Sequence, residues 1–193
     1  MLWIKQIMDY IISLIALVLL APAFAVIALL IKIDSTGPVF FRQERIGKDG
    51  NIFRVYKFRT MVPNASDGAV TDPHKDPRVT GVGAFLRAWS LDELPQLINV
   101  VRGEMSIVGP RPDRTFRLPD YGEKERRRLT MKPGITGLAQ INGRNHISWE
   151  ERYEIDADYV EGWSLVLDLM ILFRTIGVVL AREGVDYIEA ESG

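Results

Sequence analysis

The longest uninterrupted apolar pattern in the chain runs from Ile11 to Ile31, 21 residues without a charge, flanked by Lys5 and Asp9 before it and by Lys32 and Asp34 after it. That is the length a helix needs to cross a bilayer, and it continues well past Ala21-Pro22-Ala23, where a cleaved secretory signal would end. A retained anchor over residues 1–33 is predicted. Pro22 interrupts it, because proline deletes the hydrogen bond to the Val18 carbonyl and its ring presses on that turn. Two geometries accommodate the break: a kinked helix that crosses the membrane, and a helix that enters, turns and leaves on the same side. Proline is tolerated in crossing helices, so composition by itself favours the crossing. In both, the basic residues after Lys32 put the rest of the chain in the cytoplasm.

Beyond the anchor the pattern shortens. Pro38 to Phe41 and Ile52 to Phe58 read as extended segments around the turn-like Gly47-Lys48-Asp49-Gly50, which predicts a hairpin. Residues 62–80 carry Pro63, Asn64, Asp67, Gly68, Pro73 and Pro77 among polar positions and read as a long loop. Ser148 to Val160 starts with the Ser-x-x-Glu capping pattern and holds six acids between Glu150 and Glu161, which predicts an exposed helix. Trp163 to Ala181 is apolar except for Asp168 and Arg174. Those charges are costly at the centre of a bilayer, so a helix in the interface or against the core is preferred to a second crossing.

Composition narrows the chemistry. With 193 residues the chain accommodates one domain plus an apolar appendage: an anchor at 1–33, a cytoplasmic domain at 34–185 and a tail at 186–193. Zero cysteines exclude disulfides, thiolate catalysis and cysteine-bound zinc, and the two histidines, His74 and His146, cannot build a His-rich metal cage. A metal held by carboxylates and substrate phosphates points instead to Mg²⁺ or Mn²⁺. The net charge of −1 hides a basic run from Arg42 to Arg59, six cations against Glu44 and Asp49. Such a run suits a solvated face or a membrane surface; with no binding motif and no basic total, nucleic acid is the weaker option.

The candidate chemistry centres on Ser90-Leu91-Asp92-Glu93-Leu94-Pro95, two adjacent acids ahead of an apolar helix whose proline fits only the first turn. A helix N-terminus favours the ionised carboxylate, a nucleophile or a ligand for a hard cation. A capping box of Ser90 and Glu93 explains the same residues without any chemistry. Cations occur in several separate segments around the pair. Lys57 and Arg59 are two apart on a predicted strand and so share a face. Arg111 stands in Gly109-Pro110-Arg111-Pro112, where the following proline restricts it to extended geometry. Arg87 precedes the acids, and Arg144 follows the glycine-rich residues 133–138. Each is individually a common surface residue; together they suit phosphate.

These segments, in this order, resemble the monotopic phosphoglycosyl transferases of the bacterial sugar transferase family. The resemblance runs through Gly37 to Phe41, Lys57-Phe58-Arg59-Thr60-Met61, Asp76 to Thr80, Ser90 to Asn99, Gly103 to Pro112 and Lys132 to Asn145, and covers residues 1 to about 185. It implies an α+β fold: a proline-broken re-entrant membrane helix, then a small mixed cytoplasmic domain with interfacial amphipathic helices and short strands. That reverses the preference at Pro22, although many members have serine before this proline and this chain has Ala21. Larger members carry spanning helices ahead of this unit, so the chain resembles the minimal catalytic type.

The implied reaction moves a sugar 1-phosphate from a UDP-sugar to polyprenyl (undecaprenyl) phosphate at the cytoplasmic face of the bacterial inner membrane, as the first membrane step of glycoconjugate assembly. Asp92 is implied as nucleophile, Glu93 as acid, base or metal support, and Lys57, Arg59, Arg87, Arg111 and Arg144 as substrate-binding cations. Mg²⁺, with Mn²⁺ as a substitute, is implied at Asp92 and Glu93. The competing readings are a non-catalytic membrane scaffold and an enzyme passing phosphate from nucleotide to lipid without a sugar.

Overall fold

The computed structural model of the chain describes residues 2–63, 65, 76–143 and 147–181. The tail, His74, Arg144 and His146 lie outside the described residues, as does most of the loop predicted at 62–80. The fold is mixed, with helices around two small two-stranded sheets.

The predicted anchor is one long helix, α1 (Leu2–Asp34), with Pro22 inside it and a mean hydropathy of 3.0 over its most apolar window. By length and composition it is able to cross a membrane. Its few buried residues are Lys5, Asp9, Ser13 and Ile31, toward its two ends; most of the apolar middle is exposed. Both ends dock on the following domain. Near the start, Lys5 Nζ lies 2.7 Å from Asp168 Oδ2, and the Ser106 hydroxyl donates to Asp9 at 2.6 Å. At the other end, Ile31 packs with Phe58 and Leu86, and Asp34 accepts from the Val82 amide at 2.9 Å.

The hairpin forms as the pattern requires. Strand β1 (Phe40–Ile46) pairs antiparallel with β2 (Ile52–Phe58), Phe40 opposite Phe58 and Ile46 opposite Ile52. Asp49 and Gly50 take positive φ in the turn between them. The first strand runs five residues past Phe41, the end of the apolar motif, because the polar Arg42 to Arg45 alternate along the ladder. Asn99, fully buried, accepts from the Tyr56 amide at 2.9 Å and donates to the Arg54 carbonyl at 2.8 Å, so its amide substitutes for a further strand at the edge of β2.

Helix α2 (Gly81–Ala88) is capped by Thr80, whose hydroxyl accepts from the Gly83 amide. Gly83 lies so close to the Thr60 backbone that any Cβ would collide with it, and this contact seats α2 on the end of the hairpin. A 3₁₀ turn (Leu91–Gln96) leads into α3 (Leu97–Val101). Next come β3 (Ser106–Val108), α4 (Glu123–Arg127), β4 (Gly134–Thr136), which pairs parallel with β3, and the short α5 (Leu138–Ile141).

The last two helices correct part of the sequence reading. Helix α6 (Trp149–Glu161) begins as expected, with the Ser148 hydroxyl accepting from the Glu151 amide at 3.1 Å. It is not an exposed helix on all sides: Arg152, Tyr153, Asp156, Ala157 and Tyr159 are buried. Its acids cluster in sequence but not around the axis, and Asp156 faces inward onto Arg128 at 2.6 Å. Helix α7 (Leu165–Leu180) buries Ile171 and Asp168. It leaves Val166, Leu169, Met170, Phe173, Ile176 and Leu180 exposed along one stripe.

Candidate active site

The two adjacent acids and three of the predicted cations converge where the hairpin, α2, the 3₁₀ turn and the loop after β3 meet. Lys57, at the end of β2, donates to Glu93 Oε1 at 2.6 Å. Arg111, in the loop after β3, donates to the same oxygen at 2.9 Å and reaches Oε2 at 3.4 Å. Arg87, in the last turn of α2, is braced by a 2.8 Å bond from its Nε to the Thr60 hydroxyl, and its charge acts on Asp92.

No capping box forms. Ser90 adopts a left-handed backbone, φ 55°, and its side chain caps nothing in the 3₁₀ turn, while Glu93 is turned to its two cations. The expectation that a helix terminus keeps both acids ionised also needs correction, since a 3₁₀ turn this short carries little dipole and burial takes over. Burial pushes Asp92 up to about 6, with the Glu93 charge adding to it and Lys57, Arg87 and Arg111 pulling the other way. Burial acts on Glu93 too, but the charges and hydrogen bonds of Arg111 and Lys57 outweigh it and hold that carboxyl well below the usual carboxylate range.

The neighbours are therefore unlike: Glu93 is a permanently ion-paired anion, whereas Asp92 makes no hydrogen bond or ion pair among the described residues and titrates near neutrality. Environments that push two carboxyls apart are how acids of one type acquire separate roles. Asp92 is free to attack a phosphorus or accept a proton; Glu93 organises the cations around it.

Arg59 departs from the group that sequence reasoning placed together. Strand β2 ends at Phe58, one residue short of Arg59, and the two side chains take different partners: Lys57 binds Glu93, and Arg59 does not. The Arg59 guanidinium is buried at the end of α1, donating to the carbonyls of Ser35 at 2.8 Å and of Thr36, and to the Ser35 hydroxyl at 3.0 Å.

A buried polar network behind the site positions Arg111, and the sequence reading missed its members. Arg128, 3% exposed, donates to the Arg111 carbonyl, to Asp156 at 2.6 Å and to the Tyr121 hydroxyl at 2.8 Å. Asp113 accepts from the hydroxyls of Tyr121 at 3.0 Å and Tyr153 at 2.6 Å. Arg45 donates to the Pro112 carbonyl at 3.4 Å; burial, with Arg111 and Arg114 beside it, lowers its pKa to about 10. A signal for this network exists in α6, where Arg152 and Asp156 fall on the same helical stripe as Tyr153 and Ala157. The loop after Met61 closes at its base through a Met61–Val79 bridge and an Asp76–Arg78 fork, whose hydrogen bonds hold Asp76 down to about 2.

Among the described residues no group of three or more His, Asp or Glu side chains gathers to hold a metal unaided. Asp92, unpartnered among the described residues, leaves its carboxylate oxygens for the sparser arrangement in which Mg²⁺ takes one or two carboxylates and completes its shell with water and substrate phosphates, whereas Lys57 and Arg111 already occupy Glu93 Oε1.

The profile of the bacterial sugar transferase family matches residues 1–182. A Bacillus subtilis protein named as the uncharacterized sugar transferase EpsL is 49% identical over 84% of this chain and 79% of its own length. The exopolysaccharide production protein ExoY of Sinorhizobium fredii is 42% identical over 93% of this chain and 87% of its own length. The Escherichia coli UDP-glucose:undecaprenyl-phosphate glucose-1-phosphate transferase is 46% identical over 90% of this chain but only 39% of its own length. The chain thus spans about two fifths of that longer relative and most of the shorter ones. On the family match and these identities, the chain belongs to the bacterial sugar transferase family of phosphoglycosyl transferases.

Proposed function

We propose that the chain transfers a sugar 1-phosphate from a UDP-sugar to polyprenyl phosphate in two displacements at Asp92. The observation that carries this reading is an unpaired, half-buried carboxylate beside three cations, two of which are held in place by its neighbour Glu93. An Asp92 oxygen attacks the β-phosphorus, the bond from that phosphorus to the bridging oxygen breaks, and UMP leaves with the oxygen. The phosphate oxygen of the lipid then attacks the same phosphorus, the bond to Asp92 breaks, and the carboxylate is restored as a polyprenyl diphosphate sugar departs.

Lys57, Arg87 and Arg111 neutralise the two phosphates as charge shifts onto the leaving UMP. Arg144 joins them in this reading. Mg²⁺ at Asp92 and Glu93 would supply further charge neutralisation on the diphosphate. The names of three relatives state undecaprenyl phosphate, with UDP-glucose in two and galactose in the third, which supports the same substrate classes here.

The decisive experiment incubates purified protein with Mg²⁺ and a panel of UDP-sugars without lipid. We expect a burst of at most about one UMP per chain and a sugar-phosphate adduct on Asp92, as covalent double displacement requires. UMP release that strictly requires lipid, with no adduct trapped, would replace this mechanism with direct transfer in a ternary complex.

The anchor is read as re-entrant, with both ends on the cytoplasmic face. A straight 33-residue helix is about 50 Å long, and a crossing puts its ends on opposite sides of the membrane. Here Lys5 and Asp9 at one end, and Ile31 and Asp34 at the other, bind the same domain. Helix α7 is joined to the start of α1 through Asp168 on its buried face and turns its exposed apolar stripe away from the core, an arrangement that suits a helix resting in the lipid interface. A cysteine introduced at Leu2 of this cysteine-free chain should resist a membrane-impermeant thiol reagent in intact cells and react after lysis. Labelling from outside would establish a crossing instead.

A further inference from the structure

The four successive residues Lys57 to Thr60 divide between two tasks. Lys57 binds Glu93 and Thr60 braces Arg87, so these two serve the carboxylate site. Phe58 packs edge-on against Phe24 of α1, ring centres 5.0 Å apart, and Arg59 binds the α1 terminus. One short segment therefore grips the reaction centre with its outer two side chains and the membrane helix with its middle two.

The Arg59 contact is built for rigidity. A helix C-terminus leaves carbonyls without partners and carries partial negative charge. A guanidinium answers both with several N–H groups fixed in one plane, which an ammonium cannot do. Arg59 is 6% exposed; it reaches the Ile31 carbonyl in the last turn of α1 at 3.5 Å and, just past the helix end, the Ser35 and Thr36 carbonyls together with the Ser35 hydroxyl. Gly37, at φ +113°, supplies the room: a Cβ there would occupy the position of Arg59 Nη1.

We infer that Arg59 is a positioning residue that joins the membrane helix to the reaction centre and governs the lipid half of the reaction alone. This rests on the two-step transfer proposed above. The nucleotide sugar reaches Asp92 from water and needs nothing from α1. The lipid phosphate reaches the Asp92 adduct from the bilayer, at a depth that α1 sets relative to Lys57 and Glu93. Loosening the joint moves one reactant and not the other.

The test compares the wild type with Arg59→Met, Arg59→Lys and Gly37→Ala in lipid nanodiscs. The UMP burst is measured with the most reactive UDP-sugar, and the adduct is then chased with polyprenyl phosphate. All three variants should keep the wild-type burst rate constant. Adduct consumption should slow by roughly tenfold to a hundredfold in Arg59→Met and Gly37→Ala, the penalty that about 1 Å of misplacement carries, with a raised KM for the lipid; Arg59→Lys should fall between. Normalising to burst amplitude counts only folded protein. A burst slowed in step with the chase would make Arg59 a phosphate ligand and overturn the inference, as would an unaltered chase in Arg59→Met. If the wild type gives no burst, it is the reaction reading that fails. The joint is then judged by hydrogen exchange of residues 31–36, which must quicken in Gly37→Ala; unchanged exchange overturns it.

Discussion

Asp92→Asn is expected to lose transfer by roughly 10⁴-fold or more, the range seen when the nucleophile of a covalent mechanism is removed, and yet to gain thermal stability at neutral pH. The amide keeps the shape and loses the charge that attacks phosphorus. The stability gain follows from the pKa of about 6 in the folded protein, against an unfolded value of about 3.9. Between those values the folded chain holds a proton that the unfolded chain has released, so stability falls as pH rises through that window. Above about 6 the ionised Asp92 is a burden that asparagine does not carry. Glu93 works in the opposite sense, because its depressed pKa makes its contribution largest at neutral pH and lost on acidification. Melting curves of wild type and Asp92→Asn with a chelator, at pH 4 and pH 7, should therefore diverge only at the higher pH. Equal melting at both, or a less stable variant at pH 7, would contradict a half-buried, unpaired carboxylate at Asp92.

The second large effect is structural, at the contact between the start of α1 and α7. Asp168 accepts from Lys5 at 2.7 Å, Tyr159 at 2.7 Å and Trp163 at 3.1 Å, all in one buried cluster. Removing the carboxylate strands the Lys5 ammonium without its closest counter-ion, and deleting one partner of a buried pair costs roughly 3–5 kcal/mol. Asp168→Ala should accordingly lower the unfolding temperature sharply and release the start of α1 to proteolysis. The control is Glu161→Ala, which breaks an ion pair with Arg127 whose side chains are both 57% exposed. Surface pairs of that kind contribute about 0–1 kcal/mol, so its melt should be close to that of the wild type. Indistinguishable melts for the two variants would show that the Lys5 contact does not hold α1 on the domain.

What was legible without coordinates follows a consistent division. The hairpin was readable because two short apolar segments on either side of Gly47-Lys48-Asp49-Gly50 are local signals. The start of α6 was readable because Ser148 and Glu151 are three apart and meet in any helix. The roles of Glu93 and Arg59 were not, because both depend on partners far away in sequence: Lys57 and Arg111 for the one, Ser35 and Thr36 for the other. Asp156 was read as solvent-facing from its acidic neighbours, and it lies instead against Arg128, 28 residues earlier.

By itself, then, the sequence determined the membrane-length helix, the hairpin, the Ser148 cap of α6 and the residue types from which a phosphate-handling site is made, since each is written in spacings of a few residues. Only the tertiary structure decided which acid is unpaired and which is committed, which arginine faces the site and which caps a helix, and that both ends of α1 bind one domain. The physical reason is that ionisation and hydrogen-bond partnership are set by burial and by charges a few ångströms away in space. Which charges those are depends on chain segments 18 to 163 residues apart, the separations of Arg111 from Glu93 and of Lys5 from Asp168.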